Sequence, residues 1–152
     1  VKESILGKVS RTIPSMLNYQ IQANKDSMFN TPPVFAVYTS LLNMRWIEAQ
    51  GGINLLGKKN TAKAALIYNE IDRNSQFEGF AIQEDRSDMN ATFNLTDPSL
   101  TQTFDELCRK AGISGIKGHR SVGGYRASMY NALPIESVEV LVECMQVLEK
   151  KI

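Results

Sequence analysis

An α+β fold, with a small antiparallel sheet and helices packed on one of its faces, is what this sequence predicts. From Met89 onward, short period-two segments alternate with longer helical ones, in the order strand, helix, strand, strand, helix. Glycine and proline stand where those segments should stop and start. The chain has 152 residues, enough for one domain, or one domain with attached arms, to enclose its own core.

Residues 1–32 read as an arm. Short apolar runs alternate there with polar breaks, Ile13-Pro14 and Thr31-Pro32-Pro33 punctuate them, and a strand is expected from Met16 to Ile21. Residues 33–152 read as the folded domain. Pro33 suits a first helical turn, where a missing N–H costs little. Phe35, Tyr38, Leu41, Leu42, Met44 and Trp46 then follow in a helical stripe that stops at Gln50-Gly51-Gly52. A second helix is expected from Ile53 to Asp72, with Leu55, Leu56, Ala62, Ala65, Leu66 and Ile71 on its apolar side. Both helices should pack beside the sheet.

A polar loop at Glu84 to Asp88 leads to a half-buried strand over Met89 to Leu95. Thr96-Asp97-Pro98 has the form of a helix cap followed by a first-turn proline. The helix it opens runs through Phe104, Leu107 and Cys108 to Ala111, and Gly112 ends it. Two short strands, Ile113 to Lys117 and Tyr125 to Tyr130, flank a glycine-bounded turn. A last helix from Pro134 buries Val138, Leu141, Val142, Met145 and Leu148.

Composition narrows the function classes. A net charge of +1 gives no bulk electrostatic reason for a nucleic-acid or membrane-surface partner. No apolar stretch approaches the ~20 residues that span a bilayer. Val1-Lys2-Glu3-Ser4 has no apolar signal core and no initiator Met, so a processing boundary or an engineered one is expected there. Cys108 and Cys144 lie far apart inside helical patterns and read as reduced core thiols of a cytoplasmic protein. One histidine excludes a His-rich metal site.

Two segments carry chemistry. Gly118-His119-Arg120-Ser121-Val122-Gly123-Gly124-Tyr125-Arg126-Ala127-Ser128 places both arginines and the histidine within eight residues. Successive backbone N–H groups in such a turn can cradle an anion, and each guanidinium can grip a carboxylate or phosphate by two parallel hydrogen bonds. Arg120 and Arg126 could thus hold two anionic groups of one ligand, with His119 as an added donor. On spacing alone a solvated hairpin fits as well. Neither a Walker A loop nor a dinucleotide fingerprint is present. In Ser27-Met28-Phe29-Asn30-Thr31-Pro32-Pro33, Asn30 and Thr31 stand where donors meet an anion at a helix amino terminus, or where they simply cap that helix.

Together the two segments resemble the phosphoserine aminotransferase family, pyridoxal-phosphate enzymes of the aspartate-aminotransferase fold type. Asn30-Thr31-Pro32-Pro33 is similar to one family signature. Lys117 to Ala132 matches the family's most distinctive block almost throughout, and Asp85-Arg86-Ser87 with Met89-Asn90 looks like another family segment. The resemblance implies that residues 33–152 are the carboxy-terminal small domain of a fold-type-I enzyme and that 1–32 are left from the large domain. It implies that His119 and Arg120 bind the phosphate of phosphoserine or the side-chain carboxylate of glutamate. Arg126 would hold the substrate α-carboxylate, and Asn30 and Thr31 would reach the cofactor phosphate across a homodimer interface.

The implied reaction is 3-phosphohydroxypyruvate plus glutamate to phosphoserine plus 2-oxoglutarate, in serine biosynthesis. None of this chain's lysines stands in the context of the family's Schiff-base lysine. The expectation is therefore a fragment with no catalytic residue of its own, inactive alone. A non-catalytic anion-binding module remains the alternative. A related aminotransferase acting on an unphosphorylated substrate is disfavoured, because His119-Arg120 would then face no charge.

Overall fold

A computed structural model describes residues 1–121 and 123–152. It divides into two compact units, Val1–Trp46 and Ile47–Ile152.

The first unit holds short turns and the start of a long helix. Turns of 3-10 helix at Glu3–Ile5 and Ser15–Leu17 precede α1 (Tyr19–Ala23). The strand expected over Met16 to Ile21 is therefore absent. Asn18 explains why: its side chain accepts from the Gln20 N–H at 3.0 Å, capping a helix that a strand reading overlooks. The next helix, α2 (Val34–Ala49), begins after Pro33 as expected, yet it contains no buried residue.

The second unit is the α+β layer. Its elements are α3 (Gly52–Arg73), β1 (Phe77–Gly79), β2 (Asn90–Leu95), α4 (Thr101–Lys110), β3 (Tyr125–Ser128) and α5 (Ile135–Glu149). The sheet is antiparallel with strand order β1-β2-β3. Phe77 lies opposite Leu95, and Phe93 opposite Tyr125. Ala91, Phe93 and Leu95 alternate inward along β2 and join α3, α4 and α5 in one core. Asn90, Thr92 and Asn94 occupy the other, half-buried face.

Rings anchor this core. Phe104 of α4 meets Phe77 at 5.2 Å and Tyr125 at 5.0 Å between centroids, both edge-on. Such pairs add about 0.5–1.5 kcal/mol each beyond area burial. Cys108 and Cys144 are buried free thiols, and burial pushes the Cys108 thiol up to about 12.

Three details differ from the sequence reading. β1 was not foreseen, because three residues carry too little alternation to register. The strand expected over Ile113 to Lys117 is reduced to a single bridge between Lys117 and Tyr125, because Gly115 takes a positive φ of 69° and interrupts the ladder.

The third concerns α3. Its buried face runs through Leu56, Asn60, Lys63, Ala64, Ile67 and Ile71, while Leu55, Ala62 and Ala65 are exposed. Two polar residues at core positions hid that face. Lys63 is 2% exposed, and its ammonium donates to the carbonyls of Met129, Tyr130 and Leu133 at 3.0, 2.7 and 3.1 Å. It thereby ties the segment after β3 to α3.

Candidate substrate-binding site

The glycine-bounded turn has a closed neck. Lys117 and Tyr125 bridge at its base, and the Gly118 N–H donates to the Gly124 carbonyl at 2.8 Å. The Gly123 N–H donates to the His119 carbonyl at 2.8 Å. A Cβ at Gly118 would overlap the carbonyl oxygen of Gly123, and one at Gly124 would overlap the Asn94 side chain. The close approach of backbone to backbone is thus what these glycines permit. Val122, part of the sequence motif, lies outside the described residues.

His119 and Arg120 are exposed and line one cavity of roughly 530 Å³ with Lys117, Gly118 and Gly123. Three cationic or potentially cationic side chains therefore border one space, and Glu78 borders it too. Ser121 orders the imidazole: its N–H donates to His119 Nδ1 at 3.3 Å and its hydroxyl lies 2.7 Å from the same nitrogen. In the tautomer whose Nδ1 accepts from Ser121, the ring proton sits on Nε2. Lys117 is already engaged, since its ammonium pairs with Asp105 and lies 5.3 Å over the Tyr125 ring.

Arg126 stands elsewhere. On β3 it is exposed and lies across from Thr92, on the opposite side of the strand from buried Tyr125 and Ala127. It lines a second cavity, roughly 340 Å³, with Ile116, Ser128 and the start of α5. Within this chain Arg120 and Arg126 line different cavities among those of the described residues. The reason is the pleat: one residue of separation from Tyr125 puts Arg126 on the outer face, and the turn leaves from the strand's end.

Asn30 and Thr31 are exposed in the first unit. The Asn30 amide lies 3.2 Å from the Met16 sulfur. Side-chain capping of α2 by either residue is not among the hydrogen bonds of the described residues.

Asp105, Glu78 and the neck pair Lys117–Tyr125 escaped the sequence reading. No local motif marks Asp105, which lies on a different element. Asp85-Arg86-Ser87 proves to be a fastener: Arg86 grips Asp72 through two 2.6 Å hydrogen bonds and stacks 4.6 Å from the Tyr68 ring centroid. Among the described residues no cluster of His, Cys, Asp and Glu could hold a metal ion. Among the described residues no helix is long and apolar enough to cross a membrane.

Comparison with known proteins adds to this geometry. The model of a family described as aminotransferase class-V matches residues 4–141. A phosphoserine aminotransferase of Flavobacterium johnsoniae is 62% identical over 152 residues, which take in all of this chain and 43% of the relative. One from Bacteroides thetaiotaomicron is 54% identical, over 99% of this chain and 43% of the relative.

Among solved structures, phosphoserine aminotransferase from Bacillus circulans subsp. alkalophilus superposes with a TM-score of 0.83 at 39% identity, over 99% of this chain and 42% of that one. The pyridoxal-phosphate-bound enzyme from Trichomonas vaginalis gives 0.76 at 38% identity, over 91% and 40%. The chain thus spans less than half the length of the relatives it matches.

Proposed function

The chain belongs to the class-V aminotransferase family, and from that premise we propose that it is the carboxy-terminal, substrate-binding part of a phosphoserine aminotransferase. The reaction is the transfer of an amino group between glutamate and 3-phosphohydroxypyruvate in cytoplasmic serine biosynthesis. The observation that carries this reading is 62% identity to a phosphoserine aminotransferase along the whole chain. Residues 33–152 are assigned to the small domain and 1–32 to an arm from the large one.

In this reading His119 and Arg120 bind the phosphate of phosphoserine or the distal carboxylate of glutamate, and Arg126 binds the α-carboxylate. Ser121 holds the imidazole so that Nε2 donates. The two grips line separate cavities in one chain. A two-fold homodimer resolves this, because it can set the His119–Arg120 turn of one protomer against Arg126 of the partner subunit. Gripping both anionic ends fixes the amino group for transfer.

Asn30 and Thr31 offer an amide and a hydroxyl, donors of the kind a cofactor phosphate takes, and are assigned to that group across the same dimer. Pyridoxal phosphate, when bound, supplies the electron sink for the transfer. A lysine that carries it needs an amine not already engaged. Lys63 spends its ammonium on three carbonyls, and Lys117 is paired with Asp105. The family resemblance implies a carrier lysine in a sequence context that none of this chain's lysines matches, so it is assigned to the part of the relatives that this chain does not span, and the chain alone is expected to be inactive.

The test uses the full-length enzyme containing this chain. Arg126→Ala should weaken binding of glutamate and phosphoserine by ~1.5–3 kcal/mol, about ten- to a hundredfold in KM. Arg120→Ala should damage phosphoserine more than an unphosphorylated analogue. Equal losses on both substrates would remove the phosphate role. For the chain alone, pyridoxal phosphate should give no lysine-bound absorbance band; a stable band would overturn its assignment as inactive.

A further inference from the structure

The neck of the anion turn is fastened to the core from outside the turn. The Tyr125 hydroxyl donates to Asp105 Oδ1 at 3.0 Å, and the Lys117 ammonium pairs with the other oxygen of the same carboxylate. One side chain on α4 therefore receives both residues at which the chain leaves and rejoins the sheet. Asp105 itself is well seated, since its neighbour Phe104 is fully buried and packs edge-on against the Tyr125 ring. Yet Asp105 does not line the cavity that His119 and Arg120 border, whereas Lys117 and Tyr125 do.

We propose that Asp105 is a positioning residue for anion binding: it staples both ends of the turn to α4 and so holds His119 and Arg120 in place for a phosphate. This rests on the phosphate role proposed for that pair. The physical need is clear. The turn contains Gly118, Gly123 and Gly124, residues with the largest backbone freedom to lose. Ordering such a segment on binding costs affinity, and ordering it beforehand removes that cost.

The Lys117–Asp105 arm of the staple contributes little to global stability. Lys117 is 60% exposed and Asp105 32% exposed, and ion pairs in such positions are worth at most about 1 kcal/mol. Its effect belongs in binding. A rival role predicts the opposite sign: if Asp105 merely neutralises Lys117, its removal would free an ammonium beside the cavity and tighten the anion.

The experiment measures kcat and KM for phosphoserine in the full-length enzyme carrying Asp105→Ala or Tyr125→Phe, each with and without Arg120→Ala. Asp105→Ala should raise KM about five- to tenfold with kcat within about twofold, and Tyr125→Phe should raise KM about two- to threefold. In the Arg120→Ala background Asp105→Ala should add a smaller factor, less than about threefold, because only the share that passes through His119 remains.

An unchanged or lowered KM in Asp105→Ala overturns the proposal, as does a penalty of equal size in both backgrounds. Should Asp105→Ala not fold, Tyr125→Phe decides, since it removes one oxygen; an unchanged KM there overturns the staple. If Arg120→Ala raises KM and the staple variants do not, the phosphate role stands and the staple falls. If Arg120→Ala itself leaves KM unchanged, both fall.

Discussion

The two units of this chain use similar apolar residues to opposite effect. In Ile47–Ile152, helices and sheet close around Ile67, Phe104, Met145 and Leu148, all removed from solvent. In Val1–Trp46 no helix buries a residue, and Phe35 of α2 is 80% exposed. The difference lies in arrangement. On α4, Phe104 and Cys108 form one stripe, and a one-sided stripe finds cover within its own unit. On α2, Val34, Phe35, Val37, Tyr38, Leu41, Leu42 and Met44 spread round the helix, and all are exposed. A helix apolar on most sides belongs inside a larger body, which fits a chain spanning less than half the length of its relatives.

The widest gap should come from paired truncations in the isolated chain. Phe104→Ala should cost about 3–5 kcal/mol of unfolding free energy. Phe35→Ala should cost less than about 0.5 kcal/mol. Denaturant titration reads both, and similar costs would erase the contrast between the units.

A smaller loss, about 2–3 kcal/mol, is expected for Lys63→Met, which leaves three carbonyls without their donor. A variant as stable as the parent would show that those carbonyls find other partners and that the buried ammonium is not structural.

Smallest, and dependent on pH, is Glu70→Gln. Burial opposes ionisation of this carboxylate, but hydrogen bonds from Arg73, Asn74 and Gln146 outweigh it and hold its pKa below the ordinary 4.5. The native state therefore gives up that proton more readily than the unfolded chain. Its stabilisation is complete above the unfolded value and is lost as pH falls through the folded one. The substitution should cost about 1–2 kcal/mol at neutral pH. That gap should close below pH 4.5, and a gap constant across the acid range would contradict the ion-pair role.

Much of the fold was legible because the long helices and β2 repeat their pattern often enough to register. α5 shows it well: Val138, Leu141, Met145 and Leu148 are buried as their spacing requires. Short or locally capped elements were not legible. Asn18 turned an expected strand into a helix, and β1 has only Phe77 facing inward. At the site, His119, Arg120 and Arg126 could be named because charge beside glycine is conspicuous in a sequence. Asp105 could not, because a carboxylate on an amphipathic helix looks like any solvated residue until a partner from a distant segment arrives.

The residue order by itself determined where the long helices run, which strand is half-buried and which positively charged side chains stand beside glycine, since these follow from local spacing and chemistry. Only the tertiary structure decided that Arg126 and the His119–Arg120 pair line different cavities, that a lysine sits in the core, and that one aspartate holds both ends of the anion turn. Those outcomes depend on which distant segments meet, and the pleat of a strand and the packing of helices set that through contacts no local window contains.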